Sequence, residues 1–548
     1  MATQQRKPIL KPKPSGKFQK VEFQREDISR LLEQGNCALW NEMGTFKTTT
    51  VEWLWEEKLR NIPNPRVLVI TTKTGKGAYM ETLPEVLPEW EVFSVSSTKT
   101  QFVINGFATP WDVELPDPLY FRPVIVLAHY QCFLNKACEP QQIKEIRKDL
   151  EGNPVYVNGK PDKIPVLNED GTIKMTIPRC NQLMTKHWDA IIVDEAHRMK
   201  NKDTQWTRNI KKLKAGFKVA MTGTGFVNNP SEIWSILNFL HPETYRSYWG
   251  FREHYCEEDY QGGYRKIVGI RPNRQEEFRE LVRQIGTRRT MAECFPEIAE
   301  PMETVVPVTL SPIQAKMYNE IMEDLYALDQ KGEPLHSPTV LSALTRLRQI
   351  CVATPEVKVK HHPITGERLP DAHDPVTGRR LIDIELKEPS SKLDAAMEVI
   401  EGLEWDIDRK DQVVVFSNFK GPLELLRKRL EKAGIPFLHL KAEHTEKQRY
   451  DLWHEIWPEK RHQVFLCTLG VGSESINLTS AHRAIFLDQS WSPAQNAQAI
   501  GRVYRPGQKG VCQLIYIRAE STVDYRVLGK VTEKKGWFTA IFGEYSRD

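Results

Sequence analysis

With 548 residues, 40% hydrophobic and 27% charged, the chain can bury several cores and has room for roughly two to four domains. No run approaches the roughly 18 apolar residues a membrane span needs, and Met1-Ala2-Thr3-Gln4-Gln5 does not open a signal peptide, so no membrane partner is expected. A net charge of +4 is nearly balanced, so any nucleic acid must be held by a local groove rather than by global basicity. The nine cysteines are scattered without a Cys-x-x-Cys pair, which predicts buried free thiols in a reducing compartment.

Residues 1–17 are basic and proline-rich and read as a flexible arm. From Phe18 an α/β rhythm begins. Cys37–Trp40 is strand-like, and an amphipathic helix through Val51, Leu54, Trp55 and Leu59 follows it. Val67–Ile70, Val124–Leu127, Ile191–Val193 and Val219–Met221 are further apolar runs. Near-continuous apolar strands separated by helices predict a parallel sheet covered on both faces, so residues 18–240 form the first lobe. Asn158-Gly159 and Asp170-Gly171 are turn signals that predict a small β insertion at about 151–179. Residues 241–391 lack strand periodicity and read as a mainly helical insertion and linker. They contain a short repeat at 361–383, read as a surface hairpin or turn pair. A second α/β series has strands at 413–416, 437–440, 464–467, 484–487 and 514–517, giving a second lobe over 392–525 and an extension at 526–548.

Three groups of residues carry chemistry. Gly44-x-x-Lys47-Thr48 lies between a strand and a helix, where backbone N–H groups meet phosphates. Lys47 would reach the outer phosphate oxygens there, and the Thr48 hydroxyl would ligate magnesium. Asn41 and Phe46 stand where this motif carries glycines. If position 46 is left-handed, a β-carbon there costs about 1–2 kcal/mol. Asp194-Glu195 follows a buried strand at the sheet end where ligands bind. One carboxylate can hold magnesium, and its neighbour can orient or deprotonate water. Downstream, Ser492-Pro493 is a helix-start signal, and the spacing of Gln498, Arg502 and Arg505 predicts one shared helical face. Two arginines so presented could bridge to the phosphates of a nucleotide held by the other lobe.

The order Gln24, Glu42-Met43-Gly44-Thr45-Phe46-Lys47-Thr48, Asp194-Glu195-Ala196-His197, Thr222-Gly223-Thr224, Asp488-x-x-Trp491-Ser492-Pro493, Gln498-x-x-x-Arg502-x-x-Arg505 resembles the Swi/Snf-type ATPases, superfamily-two (DEAH-box) helicase relatives. Gly472-x-x-x-Ile476-Asn477-Leu478 and Arg505-Pro506-Gly507-Gln508 extend the match over roughly residues 20–525. The resemblance implies two tandem RecA-like lobes, ATP and Mg2+ as cofactors, and translocation on double-stranded DNA gripped through its backbone. It implies that Gln24 reads adenine and that residues 42–48, Asp194 and Gln498 hold nucleotide and metal. Glu195 would be the catalytic base, Arg502 and Arg505 would act in trans, and His197, Thr222 and Thr224 would couple hydrolysis to movement. Thr72, Lys73, His129, Tyr130, Ser417, Thr468, Asp488 and Trp491 are the expected DNA and coupling residues. Phe46, Glu474 and Ser475 depart from the pattern at positions tied to rate and DNA coupling.

The sequence is therefore read as a monomeric, DNA-dependent ATP hydrolase that remodels DNA or protein–DNA complexes. The absence of a recognisable reader domain favours a phage or bacterial source and a cytoplasmic location, or the nucleus for a eukaryotic source. A strand-separating or annealing helicase is the near alternative. A nucleotide-gated DNA clamp with little turnover is the alternative from another class, motivated by Phe46.

Overall fold

A computed structural model describes residues 18–529 apart from 74, 96–100, 105–106, 111–121, 135–143, 147–155, 158–159, 169–171, 174–182, 185, 224–228, 262–263, 325, 329, 333, 337–339, 359–382, 406–409, 446–447, 450, 473–475, 509 and 528. The basic arm, the two copies of the repeat, Thr224, Glu474, Ser475 and nearly all of the C-terminal extension lie outside the described residues. The chain divides into two compact units, one of residues 1–41 with 46–288 and the other of residues 42–45 with 289–548.

The first unit begins with helix α1 (Glu22–Gln34) and strand β1 (Cys37–Leu39), then α2 (Lys47–Leu59), β2 (Arg66–Thr71) and α3 (Gly75–Val86). Strands β3 (Glu91–Val95), β4 (Gln101–Ile104), β5 (Phe107–Pro110) and β6 (Val124–His129) follow. Strand β7 (Lys144–Ile146) precedes the span of the expected β insertion, and β8 (Tyr156–Val157), β9 (Lys160–Pro161) and β10 (Lys163–Pro165) fall within it. Val157 pairs with Lys160 and Leu167 with Ile173, both antiparallel, on either side of the two turn signals. Next come β11 (Trp188–Asp194), β12 (Ala215–Met221), the hairpin β13 (Cys256–Gln261)–β14 (Tyr264–Ile270) and β15 (Gly286–Thr287).

The main sheet runs β15-β1-β12-β11-β2-β6-β3-β4-β5. It is parallel from β15 to β3, and β4 and β5 close it antiparallel. The central strands are buried apolar runs such as Val67-Leu68-Val69-Ile70 and Ala190-Ile191-Ile192-Val193, because helices cover both faces. Leu31, Val51, Leu54, Trp55, Tyr79 and Leu83 from α1–α3 pack on Val67, Val69, Ile192 and Val219.

Several polar residues are buried in this unit, an acid among them. Glu52 in α2 is fully buried. Its Oε1 accepts from Thr82 Oγ1 at 2.5 Å, and its Oε2 has no hydrogen-bond partner. Burial pushes its carboxyl well above the ordinary value, with the Thr82 bond acting in the opposite direction. The folded state therefore retains a proton that the unfolded chain releases. Stability from this group is full below the unfolded value and falls as pH rises towards the folded one. Thr82 has a second acceptor, the Ala78 carbonyl at 3.0 Å, so removing the acid strands no donor. Glu52→Met is expected to be more stable than the parent at pH 8, with the difference closing towards pH 4–5. Denaturant melts across that range check it, and a difference independent of pH would contradict it.

The second unit carries β16 (Met302–Val308), the antiparallel pairs β17 (Tyr326–Leu328)–β18 (Pro334–His336) and β19 (Thr354–Val357)–β20 (Ile384–Lys387), and then β21 (Val413–Ser417), β22 (Phe437–Leu440), β23 (Val464–Thr468), β24 (Arg483–Phe486) and β25 (Gln513–Ala519). Its sheet runs β16-β25-β24-β21-β23-β22, with every neighbouring pair parallel. The five later strands are those expected from the sequence. Residues 241–391 hold helices, but they also hold β13–β20, and β16 belongs to the second sheet although it precedes residue 392. That strand is Met-Glu-Thr-Val-Val-Pro-Val with alternate residues exposed, so ladder bonds to β25 define it rather than a buried run. Among the described residues seven cysteines are free and buried, and no helix is long and apolar enough to cross a membrane.

Candidate nucleotide site

The C-terminal ends of β1, β2, β11 and β12 converge on the residues singled out in the first unit. After β1, the chain passes through the phosphate-loop sequence into α2. Phe46 takes φ 55°, ψ 33°, so the left-handed conformation usually served by glycine is present with a β-carbon. The residue stays there because its carbonyl accepts from the Thr50 N–H at 3.0 Å, from the hydroxyls of Thr49 and Thr50 at 3.0 Å each, and from Gln24 Nε2 at 3.4 Å. Four donors on one oxygen offset a cost of about 1–2 kcal/mol. Asn41, at the other missing glycine, is buried and donates from Nδ2 to Asp27 at 2.7 Å.

Gln24 lies against the phosphate-loop sequence, 3.4 Å from the Phe46 carbonyl. It is buried, its Nε2 also donates to Thr49 Oγ1 at 3.1 Å and Thr50 Oγ1 at 2.8 Å, and its Oε1 accepts from the Val21 N–H. Both ends of the amide are committed to the first turns of α1 and α2, so it braces the loop from within.

Asp194 ends β11. Its Oδ2 accepts from Thr71 Oγ1 at 2.8 Å, and its Oδ1 accepts from the Glu195 N–H at 2.8 Å. Burial, then the neighbouring Glu195 carboxylate, pushes the Asp194 carboxyl up to about 6, while the Thr71 hydroxyl, the Lys47 charge and the Glu195 N–H pull it down. Glu195 takes φ 51°, ψ 47°, a second left-handed residue, and its Oε2 lies 3.2 Å from His197 Nδ1. That nitrogen is 3.1 Å from Thr222 Oγ1, and the Thr222 N–H donates to the Leu39 carbonyl at 3.0 Å. Glu195 Oε2 and Thr222 Oγ1 thus approach the same ring nitrogen of His197, and the Thr222 backbone is tied to the end of β1. Asp194 and Thr48 supply hard oxygen donors, and a desolvated carboxylate under pressure to protonate is relieved by a cation. This residue set fits magnesium.

In the second unit, Glu42 donates from its N–H to the Arg289 carbonyl at 2.8 Å and accepts the Met291 N–H at 2.9 Å, while Thr45 Oγ1 donates to the Glu42 carbonyl at 2.7 Å. Gly44 has φ 84°, and a β-carbon there would lie 3.3 Å from Arg505 Cβ and from Met291 Sδ. The positive φ favours glycine, and the neighbours leave a β-carbon little room. Gly501 is also tight, since a β-carbon there would lie 3.1 Å from Met43 Cβ.

The helix Pro493–Val503 carries Gln498, which is buried, and Arg502. Arg505 is not on it, because the helix ends at Val503 with Tyr504 extended. The expected single face is therefore replaced by a helix followed by a turn. The Gln508 N–H donates to the Arg505 carbonyl at 3.2 Å, and Gly507 takes φ 97°, which is the type II turn that a Pro-Gly centre favours. Gln508 Nε2 pins this turn to the Ala481 carbonyl at 2.8 Å and the Val503 carbonyl at 3.1 Å.

The residues expected to face DNA separate into two groups. Thr72 is half-buried and accepts the Gly75 N–H at 2.9 Å, Lys73 is exposed, and Thr468 and Trp491 are half-buried. His129, Tyr130, Ser417 and Asp488 are turned inward, which corrects the expectation for them. His129 Nδ1 meets Cys132 Sγ at 3.4 Å. Asp488 accepts from Ser417 Oγ and Asn418 Nδ2 at 2.5 Å each, from the Asn418 N–H, and from Arg348 Nη2 at 3.3 Å. Sequence reasoning missed Arg348. It also donates to the Gln489 carbonyl at 2.7 Å and stacks over Phe419 and Trp491 at 5.3 and 5.9 Å, holding the Asp488–Trp491 loop. Its only sequence signal was a charge on an otherwise apolar helical face. Asp488→Ala leaves this guanidinium without its carboxylate and is expected to cost about 3–5 kcal/mol of stability. Denaturant unfolding checks it, and an unchanged midpoint would return Asp488 to a surface role.

Residues 165–355 match the SNF2-related domain, and residues 391–507 match the helicase conserved C-terminal domain. The chain thus carries an SNF2-related domain followed by a helicase conserved C-terminal domain. It is 24% identical to human chromodomain-helicase-DNA-binding protein 6 over 541 residues, covering 96% of this chain and 18% of that protein. It is 24% identical over 351 residues to the ISWI chromatin-remodeling complex ATPase ISW1 of Saccharomyces cerevisiae, covering 64% of this chain and 29% of that one. The chain thus spans about a fifth of the length of the first of these relatives. Among solved structures it is similar to the Sulfolobus solfataricus SWI2/SNF2 ATPase core in complex with dsDNA, with 21% identity, a TM-score of 0.38 and coverage of 97% and 96% of the two chains.

Proposed function

We propose that the protein is a DNA-dependent ATP hydrolase that translocates on double-stranded DNA and remodels DNA or protein–DNA complexes. The observation that carries this reading is the Asp194–Glu195 turn. One carboxylate is anchored by Thr71 and lies within the influence of Lys47, and the next lies 3.2 Å from the His197 Nδ1 that also meets Thr222 Oγ1. In this reading the phosphates lie against the N-terminus of α2, with Lys47 on their outer oxygens. Thr48 and Asp194 would hold Mg2+, which supplies charge neutralisation on the phosphates. Glu195 orients the attacking water and accepts its proton. Arg502 and Arg505 neutralise charge developing on the same nucleotide. Movement at the phosphates reaches the end of β12 through His197 and Thr222. DNA is gripped through its backbone, at Thr72 and Lys73 in the first unit and Thr468 and Trp491 in the second, with little sequence preference and strong salt dependence. The protein acts as a monomer.

The test is the ATPase rate without DNA and with single-stranded, duplex and branched DNA, combined with triplex displacement and strand-unwinding assays. Duplex-stimulated turnover with triplex displacement is the expected result, whereas efficient unwinding without a partner overturns translocation. Phe46 favours one second reading, a nucleotide-gated DNA clamp with little turnover, because a non-glycine residue holds the left-handed position of the phosphate loop. A DNA-stimulated rate equal to that of Glu195→Gln would select the clamp.

A further inference from the structure

Tyr130 was expected on the DNA side of the fold, and its burial leaves its hydroxyl with a different task. It begins the short turn Tyr130–Phe133 after β6. Its OH donates to the Asp194 carbonyl at 2.6 Å and lies 3.1 Å from the Glu195 carbonyl. The Glu195 carbonyl also accepts the Arg198 N–H at 2.9 Å, which starts the helical turn Ala196–Met199. Two successive carbonyls therefore converge on one phenol, and they flank the residue whose φ of 51° is unfavourable for any side chain other than glycine. Such a conformation persists only where its surroundings over-determine it. The phenol is itself fixed: the Trp206 ring meets it edge-on at 6.4 Å, and Asn209 Nδ2 donates to the Phe133 carbonyl at 2.8 Å, closing the turn onto the helix Gln205–Lys212.

We propose that Tyr130 is a positioning residue for ATP hydrolysis, its hydroxyl latching the Asp194–Glu195 backbone so that the Glu195 carboxylate is held where water is attacked. The latch joins the loop after β6 to the Asp194–Glu195 turn through backbone carbonyls alone. Tyr79, also buried beside Asp194 and Glu195, makes its hydroxyl contact with Met221 Sδ at 3.9 Å and does not duplicate it. The inference rests on the reading of Glu195 as the base.

Tyr130→Phe removes one oxygen and keeps the ring packing. The expected result is a fall of about ten- to a hundredfold in the DNA-stimulated kcat, the scale of a displaced catalytic group, with the affinity for a non-hydrolysable ATP analogue unchanged. A double-mutant cycle supplies the readout that a general structural role would not move: in the Glu195→Gln background, Tyr130→Phe should cost nothing further. Equal losses in both backgrounds, parent-like turnover in Tyr130→Phe, or loss of analogue binding with the rate would each overturn the positioning role. Absence of ATP hydrolysis in the unsubstituted protein would instead remove the proposed function.

Discussion

Glu195→Gln is expected to lower the DNA-stimulated ATPase rate by about 10²–10⁴, the range a positioned general base contributes, while ATP binding persists. Binding should persist because the substitution is isosteric and the surrounding geometry does not depend on the carboxylate's charge. Tyr130 and Arg198 hold the turn through backbone carbonyls, and Asp194 retains its bonds from Thr71 and the Glu195 N–H. Steady-state ATPase assays with and without duplex DNA, combined with analogue titration, check the prediction. Unaltered turnover would show that Glu195 is not the base and would remove the reading of the turn as a hydrolytic centre.

Arg505→Ala is expected to retain ATP binding and to lose duplex-stimulated turnover by about 10³ or more, the scale of an arginine supplied to a transferring phosphoryl group. The turn that presents Arg505 should survive, since the Pro506-Gly507 centre and the Gln508 bonds to Ala481 and Val503 do not use the guanidinium. The Arg505 β-carbon packs near Gly44 within the second unit. Loss of analogue binding together with turnover would assign the arginine to nucleotide binding instead. The same measurement on Arg502→Ala separates a pair of fingers from a single one.

Much of the architecture was legible because buried parallel strands write themselves as apolar runs. Val67–Ile70, Val124–Leu127, Val413–Phe416 and Val464–Cys467 each fall within an observed strand. β16 was not legible. An edge strand with alternating exposure carries no buried run, and its pairing with β25 lies about two hundred residues away in sequence. The candidate site divides in the same way. Asp194-Glu195 and Lys47-Thr48 were recognisable by residue type and setting. The inward turn of Ser417, His129, Tyr130 and Asp488 was not, because a polar residue after a strand reads the same whether it faces solvent or a buried partner.

The sequence by itself determined the two α/β lobes, the order of the nucleotide motifs and the position of Phe46 as the departure from them, since each depends on local residue type and spacing. Only the tertiary structure decided that Phe46 and Glu195 are both left-handed, that Gln24 braces the loop from inside, that Arg348 holds Asp488, and that Tyr130 latches the Asp194–Glu195 turn. Each of these depends on which donor meets which acceptor across tens to hundreds of residues, and chain spacing does not encode that choice.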